Sequence, residues 1–240
     1  MNDILTNQNL IYHFTGHCYW KILLSKRLRF SSIYKMNDPK ESNDPCICKS
    51  WISGEKTNEE ASAEISNENM KAKDVRKRIY IASFSRTHES PRMWAQYANN
   101  HKGVCLIFDK SKLMPIMEKQ FENEGIRSDG VIYGDGCKFL DTNTSEPRRI
   151  IDSLFRKHDD WERELEWRIV YFDKWGLGDY IDIPFGTSLY GIIRGDRFLE
   201  DEYEFFSKLT RDYIDLRVYD YQNVNGSFSL SYASSKRKEK

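Results

Sequence analysis

The segment ELEWR at 164–168 carries the residues of this chain that are best suited to chemistry. If residues 164–172 form a β-strand, alternation places Glu164, Glu166 and Arg168 on one face and apolar side chains on the other. Charged groups on a buried strand are unfavourable unless they are paired or used. The pattern therefore indicates either an arginine–glutamate ion pair at a sheet edge or a reaction centre with a pair of carboxylates.

A second candidate group lies in the segment 91–109, PRMWAQYANNHKGVCLIFD. Ser90 and Pro91, where this segment begins, predict a short helix. Trp94 and Tyr97 share one face of it because they are three residues apart. Aromatic residues in this arrangement usually pack in a core. The turn ANNHKG, which contains His101, gathers amide and cationic groups at the entrance to GVCLIFD, an apolar segment that predicts a central strand.

Two further polar segments lie near the start of the sequence. The apolar stretch LIYHFT predicts a strand that carries His13 and Thr15 just before a helix. A lone histidine in such a strand is more often a hydrogen-bonded core residue than a catalytic one. Asn37 and Asp38 precede Pro39 in a loop with the chemistry of an Asx turn, which by itself indicates only a tight loop.

The elements that must position these residues follow one another without a regular βαβ rhythm. A helix is predicted from Pro147 to Lys157, and it leads into the strand that contains Glu166. Strands and helices mixed in this way favour the α+β class over a doubly wound parallel sheet. We expect a single domain over residues 1–235, followed by a basic disordered tail at 236–240.

The composition narrows the classes of protein that the sequence can represent. Lysine plus arginine and aspartate plus glutamate are equal at 37 each, so no global charge favours a nucleic-acid partner. The sequence predicts no membrane span and no signal peptide, and its five cysteines fit reduced thiols in a cytoplasmic protein. Cys46-x-Cys48 has no second pair nearby, so the sequence predicts no metal site.

Motifs along the chain, taken in order, resemble a bacterial family catalogued as a domain of unknown function. They are YHFT at 12–15, NDPKE at 37–41, MWAQYANNHKGVCLIF at 93–108 and ELEWR at 164–168. The resemblance covers nearly the whole chain, and the motif at 93–108 is specific. The sequence departs from the family pattern at Met36, where a phenylalanine commonly precedes the NDP motif.

This family is in turn similar to the ADP-ribosyltransferase superfamily, in particular to DarT-like and diphtheria-toxin-like transferases of bacterial toxin–antitoxin and anti-phage systems. The similarity lies in the order of parts: a strand with a histidine, a helix, a second strand and a late strand with a glutamate. The resemblance implies a mixed, split β-sheet with flanking helices that holds NAD, the substrate, in a central cleft. It also implies a macromolecular acceptor, either nucleic acid (RNA or DNA) or protein, and it leaves room for an antitoxin or chaperone partner.

The resemblance assigns roles to the motif residues. Glu166 is expected to stabilise the positive charge that develops on the ribose of NAD, and Glu164 to aid acceptor activation, although the two could exchange roles. His13 is expected to hydrogen bond to the ribose, and Thr15 to the nicotinamide or a nearby backbone group. The cationic nicotinamide ring attracts an aromatic face, which Tyr97, Trp94 or Tyr34 is expected to supply. The residues predicted to bind the cofactor also include Tyr34, Asn37, Asp38, Trp94, Tyr97, His101 and Arg168. Arg168 is expected either to pair with the pyrophosphate or only to hold Glu166 in place.

Other functions fit the same residues. An NAD glycohydrolase would use the same site with water as the acceptor. A non-enzymatic ligand-binding or interaction module would use the charged strand only as an ion-pair cluster, and this alternative predicts no turnover of NAD.

Overall fold

The structure is a computed structural model that describes residues 4, 7–38, 73–121, 125–134, 153–176, 178–213, 215–224 and 227–232. Its strands are β1 (Leu10–Thr15), β2 (Arg27–Ser32), β3 (Ile79–Ser85), β4 (Val104–Asp109), β5 (Ile126–Gly130), β6 (Ile132–Tyr133), β7 (Arg156–Lys157), β8 (Glu166–Phe172), β9 (Tyr180–Pro184), β10 (Leu189–Arg194), β11 (Arg217–Val224) and β12 (Ser227–Tyr232). Its helices are α1 (Tyr19–Ser25), α2 (Pro91–Tyr97), α3 (Lys110–Gln120) and α4 (Tyr203–Thr210). Short 3-10 helices cover Ile33–Lys35, Asp159–Glu164 and Glu200–Glu202.

Most of these strands form one ten-stranded sheet. Its main path runs β12-β11-β10-β4-β1-β3-β2-β9, and β8 and β5 extend from β3. Neighbouring strands of this sheet are antiparallel, except that β10 and β11 run parallel. This mostly antiparallel sheet, with its few helices, confirms the α+β class.

The sheet opens along one edge of β3. Strand β8 pairs with β3 from Ile79 to Ser85 and so occupies the whole of the other edge. On the open edge, β1 pairs with β3 at Ser85, whereas β2 pairs with it at Tyr80 and Ile81. Residues 82–84 therefore have no strand partner on this edge within the described part of the chain. Strands β1 and β2 separate here, and their separation leaves room for a site.

The core is built around β4, whose residues Val104 to Phe108 are all inaccessible to solvent. The strand lies between β1 and β10, so both of its edges are hydrogen bonded to neighbouring strands. Side chains cover both of its faces. Leu106 packs in one apolar cluster, whereas Cys105 and Ile107 pack in another on the opposite face. The apolar run GVCLIFD therefore forms the central strand that the sequence predicts.

Helix α2 begins as the sequence predicts. Ser90 is its N-cap and accepts a hydrogen bond from the backbone N–H of Met93 at 3.4 Å, while Pro91 occupies the first turn. Both features satisfy or avoid backbone donors that a helix start leaves unpaired. The helix is followed by the turn at 99–101, whose residues all adopt left-handed φ angles of 48°, 52° and 69°.

The helix predicted from Pro147 to Lys157 is wrong at its C-terminal end. Arg156 and Lys157 form strand β7, which pairs in parallel with β6. Residues 147–152 lie outside the described part of the chain. The helical pattern of the sequence is overridden here because Lys157 is buried against carboxylates rather than placed on a solvated helix face.

The strand predicted from residue 164 begins later, at Glu166. Glu164 ends the 3-10 helix, and Leu165 between them has a left-handed φ of 45°. Simple alternation therefore does not place Glu164 beside Glu166. The backbone turn at Leu165 instead determines the direction of the Glu164 side chain.

Several predicted features fall on parts of the chain that the structure does not describe. These are the end of the NDPKE motif from Pro39, the Cys46-x-Cys48 pair and the basic tail at 236–240. Among the described residues, no helix combines the length and the apolar character needed to cross a bilayer.

Candidate functional site

A cavity of about 190 Å³, here called the first cavity, lies where β1 and β2 separate along β3. Strand β1 contributes Tyr12, His13 and Phe14, and β2 contributes Arg29 and Ser31. The open edge of β3, helix α2, the loop after β2 and the segment around β7 and β8 complete the wall. Among the residues predicted for the site, those that line this cavity are His13, Asn37, Tyr97, Glu164 and Glu166.

His13 is held in one tautomer by the opening of the sheet. Its Nδ1 lies 3.0 Å from the backbone carbonyl oxygen of Ser83, in the stretch of β3 that lacks a strand partner on this edge. A carbonyl only accepts, so Nδ1 carries the proton and donates it to this bond. Burial lowers the pKa of His13 and outweighs the opposing effect of Ser83. The ring is therefore neutral, and its Nε2 is an acceptor.

Glu166 lies at the back of the first cavity and is held by two cationic side chains. Arg168 donates from Nε to Oε1 at 2.6 Å and from Nη2 to Oε2 at 2.8 Å, and Lys157 Nζ lies 3.3 Å from Oε2. Burial on its own would raise the pKa of Glu166, but Arg168 and Lys157 together outweigh it and lower the pKa to about 2. The carboxylate is therefore ionised throughout the physiological range.

Glu164 shares the same lysine and faces helix α2 with its other oxygen. Lys157 Nζ donates to Oε2 at 2.7 Å, and the hydroxyl of Tyr97 donates to Oε1 at 2.7 Å. Burial raises the pKa of Tyr97, and the charge of Glu164 raises it further. Tyr97 thus keeps its proton and acts as a donor to this carboxylate.

The backbone around Leu165 brings the carboxylates together. The hydroxyl of Ser85 donates to the carbonyl of Glu164 at 2.7 Å, and the backbone N–H of Arg86 donates to the carbonyl of Leu165 at 2.9 Å. Tyr133 accepts a hydrogen bond from the backbone N–H of Glu166 at 2.7 Å. These hydrogen bonds hold the turn at Leu165 from both sides. The turn brings Glu164 and Glu166 close together, as expected.

Lys157 is a buried residue of this site that sequence reasoning missed. The side chains of Lys157, Glu164, Glu166 and Arg168 are all at most 5% exposed and form a cluster with no net formal charge. A signal was present in the sequence, since a pair of carboxylates beside one guanidinium leaves a negative charge that burial does not tolerate. A second cation was required, but spacing alone could not identify which one.

Two cationic side chains lie at the mouth of the first cavity. Arg29 and Lys35 line it, and each is paired with a partly exposed carboxylate, Asp182 at 2.9 Å and Asp179 at 3.1 Å. The guanidinium of Arg29 also lies 3.6 Å from the ring centroid of Tyr180. Neither cation was predicted as a site residue, although Lys35 lies between two residues that were, Tyr34 and Asn37.

The other predicted residues lie outside the first cavity. Arg168 stands behind Glu166 and donates from Nη1 to the carbonyl of Leu154. Trp94 is completely buried, and its indole N–H donates to the carbonyl of His88. His101 Nδ1 lies 3.0 Å from Asp196. The remaining predicted residues that do not line the cavity are Thr15, Tyr34 and Asp38. Of the three aromatic residues considered for nicotinamide, Tyr97 is the one that reaches the cavity.

Metal-binding groups do not gather in the described residues, where no set of three histidine, cysteine, aspartate or glutamate side chains could hold an ion. Cys46 and Cys48 lie outside these residues. The first cavity instead offers carboxylates, a neutral imidazole, hydroxyls and two cationic side chains at its mouth, which are groups that bind sugars and phosphates.

Residues 93–169 match a family described as "Protein of unknown function (DUF2971)". The matching segment contains α2, β4 and the charged residues Lys157, Glu164, Glu166 and Arg168, whereas His13 and β2 lie before it. No curated protein and no solved structure matches the chain.

Proposed function

We propose that this protein is an NAD-dependent ADP-ribosyltransferase that modifies a macromolecule, as a bacterial toxin or anti-phage effector would. The observation that carries the proposal is the meeting of His13 with Glu164 and Glu166 at one cavity. These residues come from motifs about 150 positions apart in the sequence, and the opening of the sheet brings them to one wall.

The reaction breaks the bond between C1′ of the ribose and N1 of nicotinamide. The electron pair of that bond leaves with nicotinamide, and an oxygen or nitrogen of the acceptor bonds to C1′ and releases its proton to solvent. Positive charge develops on the ribose in between, as in glycoside cleavage. Glu166 is suited to stabilise this charge, because its carboxylate stays ionised and is held in place before the substrate arrives.

The size of the first cavity indicates which part of NAD it would hold. About 190 Å³ is smaller than the roughly 300–1,000 Å³ of pockets that enclose a whole drug-sized ligand. The nicotinamide riboside end would therefore enter, with a ribose hydroxyl donating to Nε2 of His13. The pyrophosphate would lie at the mouth, beside the guanidinium of Arg29 and the ammonium of Lys35, which are groups that hydrogen bond to phosphate oxygens.

Nicotinamide release from NAD, measured with and without total cellular RNA and total protein, tests the proposal. We expect release by the parent chain and its loss in Glu166→Gln. Glu204→Gln is the matched control, because Glu204 lies on the exposed face of α4 beside Lys208. Far-ultraviolet circular dichroism of each variant separates loss of catalysis from loss of fold. Equal release by Glu166→Gln and the parent would reject the assignment.

A different observation favours a second candidate, a non-enzymatic binding module. The charges of Lys157, Glu164, Glu166 and Arg168 satisfy one another, so the cluster is stable without a ligand. This candidate predicts no nicotinamide release under any condition. An NAD glycohydrolase would instead release nicotinamide and free ADP-ribose without labelling RNA or protein.

A further inference from the structure

A second cavity, of about 440 Å³, adjoins the first. Tyr12 lines both, and Ser85, which lines the first, is followed in the chain by Arg86, which lines the second. The second cavity is bounded by the residues before β1, the loop after β3 and the start of α3. Its volume falls within the roughly 300–1,000 Å³ typical of small-molecule pockets.

The cations of the second cavity are not neutralised in the way that those of the first are. Arg86 donates from Nε to the carbonyl of Leu165 at 3.3 Å, and Lys110 Nζ lies 5.6 Å from the ring centroid of Trp167. Neither forms an ion pair with a carboxylate in the described part of the chain. Glu89 also lines the cavity, so the formal charge of its wall is positive by one.

A buried histidine in the second cavity has one ring nitrogen without a hydrogen-bond partner in the described part of the chain. His88 is 4% exposed, its ring meets that of Tyr12 edge-on at 5.1 Å, and its Nδ1 has no hydrogen-bond partner among the described residues. Burial lowers the pKa of His88 and so keeps the ring neutral. The exposed amides of Asn7 and Gln8 lie at the same cavity.

We propose that the second cavity binds a phosphate-bearing nucleotide unit, and that this unit is the acceptor of the ADP-ribose. Arg86 and Lys110 would contact the phosphate, since guanidinium and ammonium groups are the usual partners of phosphate oxygens. His88, Asn7 and Gln8 offer polar groups for a base, which presents donors and acceptors at its edges. The assignment as acceptor rests on the proposed transferase activity, whereas binding in the cavity does not.

The position of the second cavity suits an acceptor. The hydroxyl of Ser85 contacts the carbonyl of Glu164, and the next residue, Arg86, reaches the second cavity. A nucleotide held by Arg86 would therefore lie in a cavity that shares Tyr12 with the one expected to hold the ribose. Its nucleophilic oxygen or nitrogen would bond to C1′ as nicotinamide departs with the electron pair, and its proton would pass to solvent.

Binding to the full chain in the absence of NAD tests the proposal directly. The probes are AMP, inorganic phosphate and a short labelled single-stranded RNA, titrated by calorimetry or fluorescence anisotropy. We expect Lys110→Gln and Arg86→Gln each to weaken nucleotide binding about tenfold. Lys112→Gln is the matched control, because Lys112 is exposed two residues further along α3 and does not line the cavity.

The two sources of a nucleotide unit give different results. A polynucleotide strand would bind more tightly than AMP. The slope of its log affinity against log salt concentration should also decrease in Lys110→Gln by about the amount that one phosphate contact contributes. Equal binding of AMP and RNA identifies a free nucleotide. Binding of inorganic phosphate that is unchanged in both variants, or binding of no probe at all, overturns the proposal.

Competition with NAD separates this proposal from the proposed function. Displacement of the probe by saturating NAD would make the second cavity part of the NAD site and overturn the proposal. Lys110-dependent nucleotide binding without any nicotinamide release would support the second cavity as a nucleotide site and reject the proposed transferase activity. Glu166-dependent nicotinamide release with no nucleotide binding would support the transferase and reject the nucleotide site. Labelling of protein but not RNA would then show that the acceptor is a protein.

Discussion

Two arginine–carboxylate pairs in this molecule have nearly the same geometry and different surroundings. Arg168 binds Glu166 through Nε and Nη2 at 2.6 and 2.8 Å, and Arg194 binds Asp220 through the same atoms at 2.7 and 2.9 Å. The first pair is almost fully buried and joined by Lys157, whereas the Asp220 side chain is 30% exposed.

The surroundings determine what each pair can do. Aromatic rings cover the guanidinium of Arg194, with Tyr203 at 4.2 Å and Phe206 at 5.5 Å from its central carbon. The pair therefore ties strands β10 and β11 to helix α4. The carboxylate of Glu166 instead borders a cavity. Similar ion pairs thus serve different purposes, and what distinguishes them is the space in front of the carboxylate.

Removing the charge of Glu166 should have the largest effect on stability. In Glu166→Gln, Arg168 and Lys157 stay buried without their common anion, and breaking a buried pair in this way costs about 3–5 kcal/mol. Asp220→Asn is the matched change in the partly exposed pair, where we expect about 1 kcal/mol or less. Urea unfolding of both variants measures the difference. Equal losses would show that burial does not separate the two pairs.

Replacing Lys157 by methionine should destabilise the protein by about 3 kcal/mol, toward the lower end of the effect of breaking a buried pair. Glu166 keeps Arg168 in this variant, but Glu164 loses Lys157 and, among the described residues, retains the hydroxyl of Tyr97. Thermal unfolding measures the loss. Lys208→Met, which breaks an exposed pair on α4, is the control and should change stability little. A Lys157 variant as stable as this control would contradict the charge balance described for the cluster.

The dependence of stability on pH should also reflect the buried charge of Glu166. The pKa of Glu166 is lowered from 4.5 to about 2, so its contribution is fully present above pH 4.5 and is lost as the pH falls toward 2. The difference corresponds to about 3 kcal/mol. Urea unfolding of the parent over this range should show the loss, and Glu166→Gln should remove it.

The smallest expected effect is that of Tyr97→Phe. This change removes only the hydroxyl that donates to Glu164, and it should cost about 1 kcal/mol in unfolding free energy. If Glu164 aids the acceptor, transfer to an acceptor should change more than nicotinamide release does. Parallel changes in both rates would indicate that Tyr97 acts on the NAD side of the cavity instead.

The predictability of the two pairs from the sequence differs for a physical reason. Glu166 and Arg168 are two residues apart on one strand, so alternation alone predicts that they share a face. Arg194 and Asp220 meet because β10 and β11 pair in parallel with a particular register. No local pattern specifies that register, and this pair was not predicted.

The same distinction holds for the site as a whole. The α+β class and the central strand β4 follow from short apolar segments of the sequence. The approach of His13 to Ser83 depends instead on where β1 and β2 part along β3, which no segment encodes by itself. Lys157 was missed because its segment has a helical pattern, whereas tertiary contacts with the carboxylates place it on a strand.

A crystal structure with carba-NAD, an analogue that resists cleavage of the nicotinamide–ribose bond, tests the central claim most directly. We expect the nicotinamide riboside end in the first cavity, with a ribose hydroxyl within hydrogen-bonding distance of Nε2 of His13 and the Glu166 carboxylate facing the ribose. The pyrophosphate should lie beside Arg29 or Lys35. Analogue bound elsewhere, or no bound analogue at saturating concentration, would contradict the account.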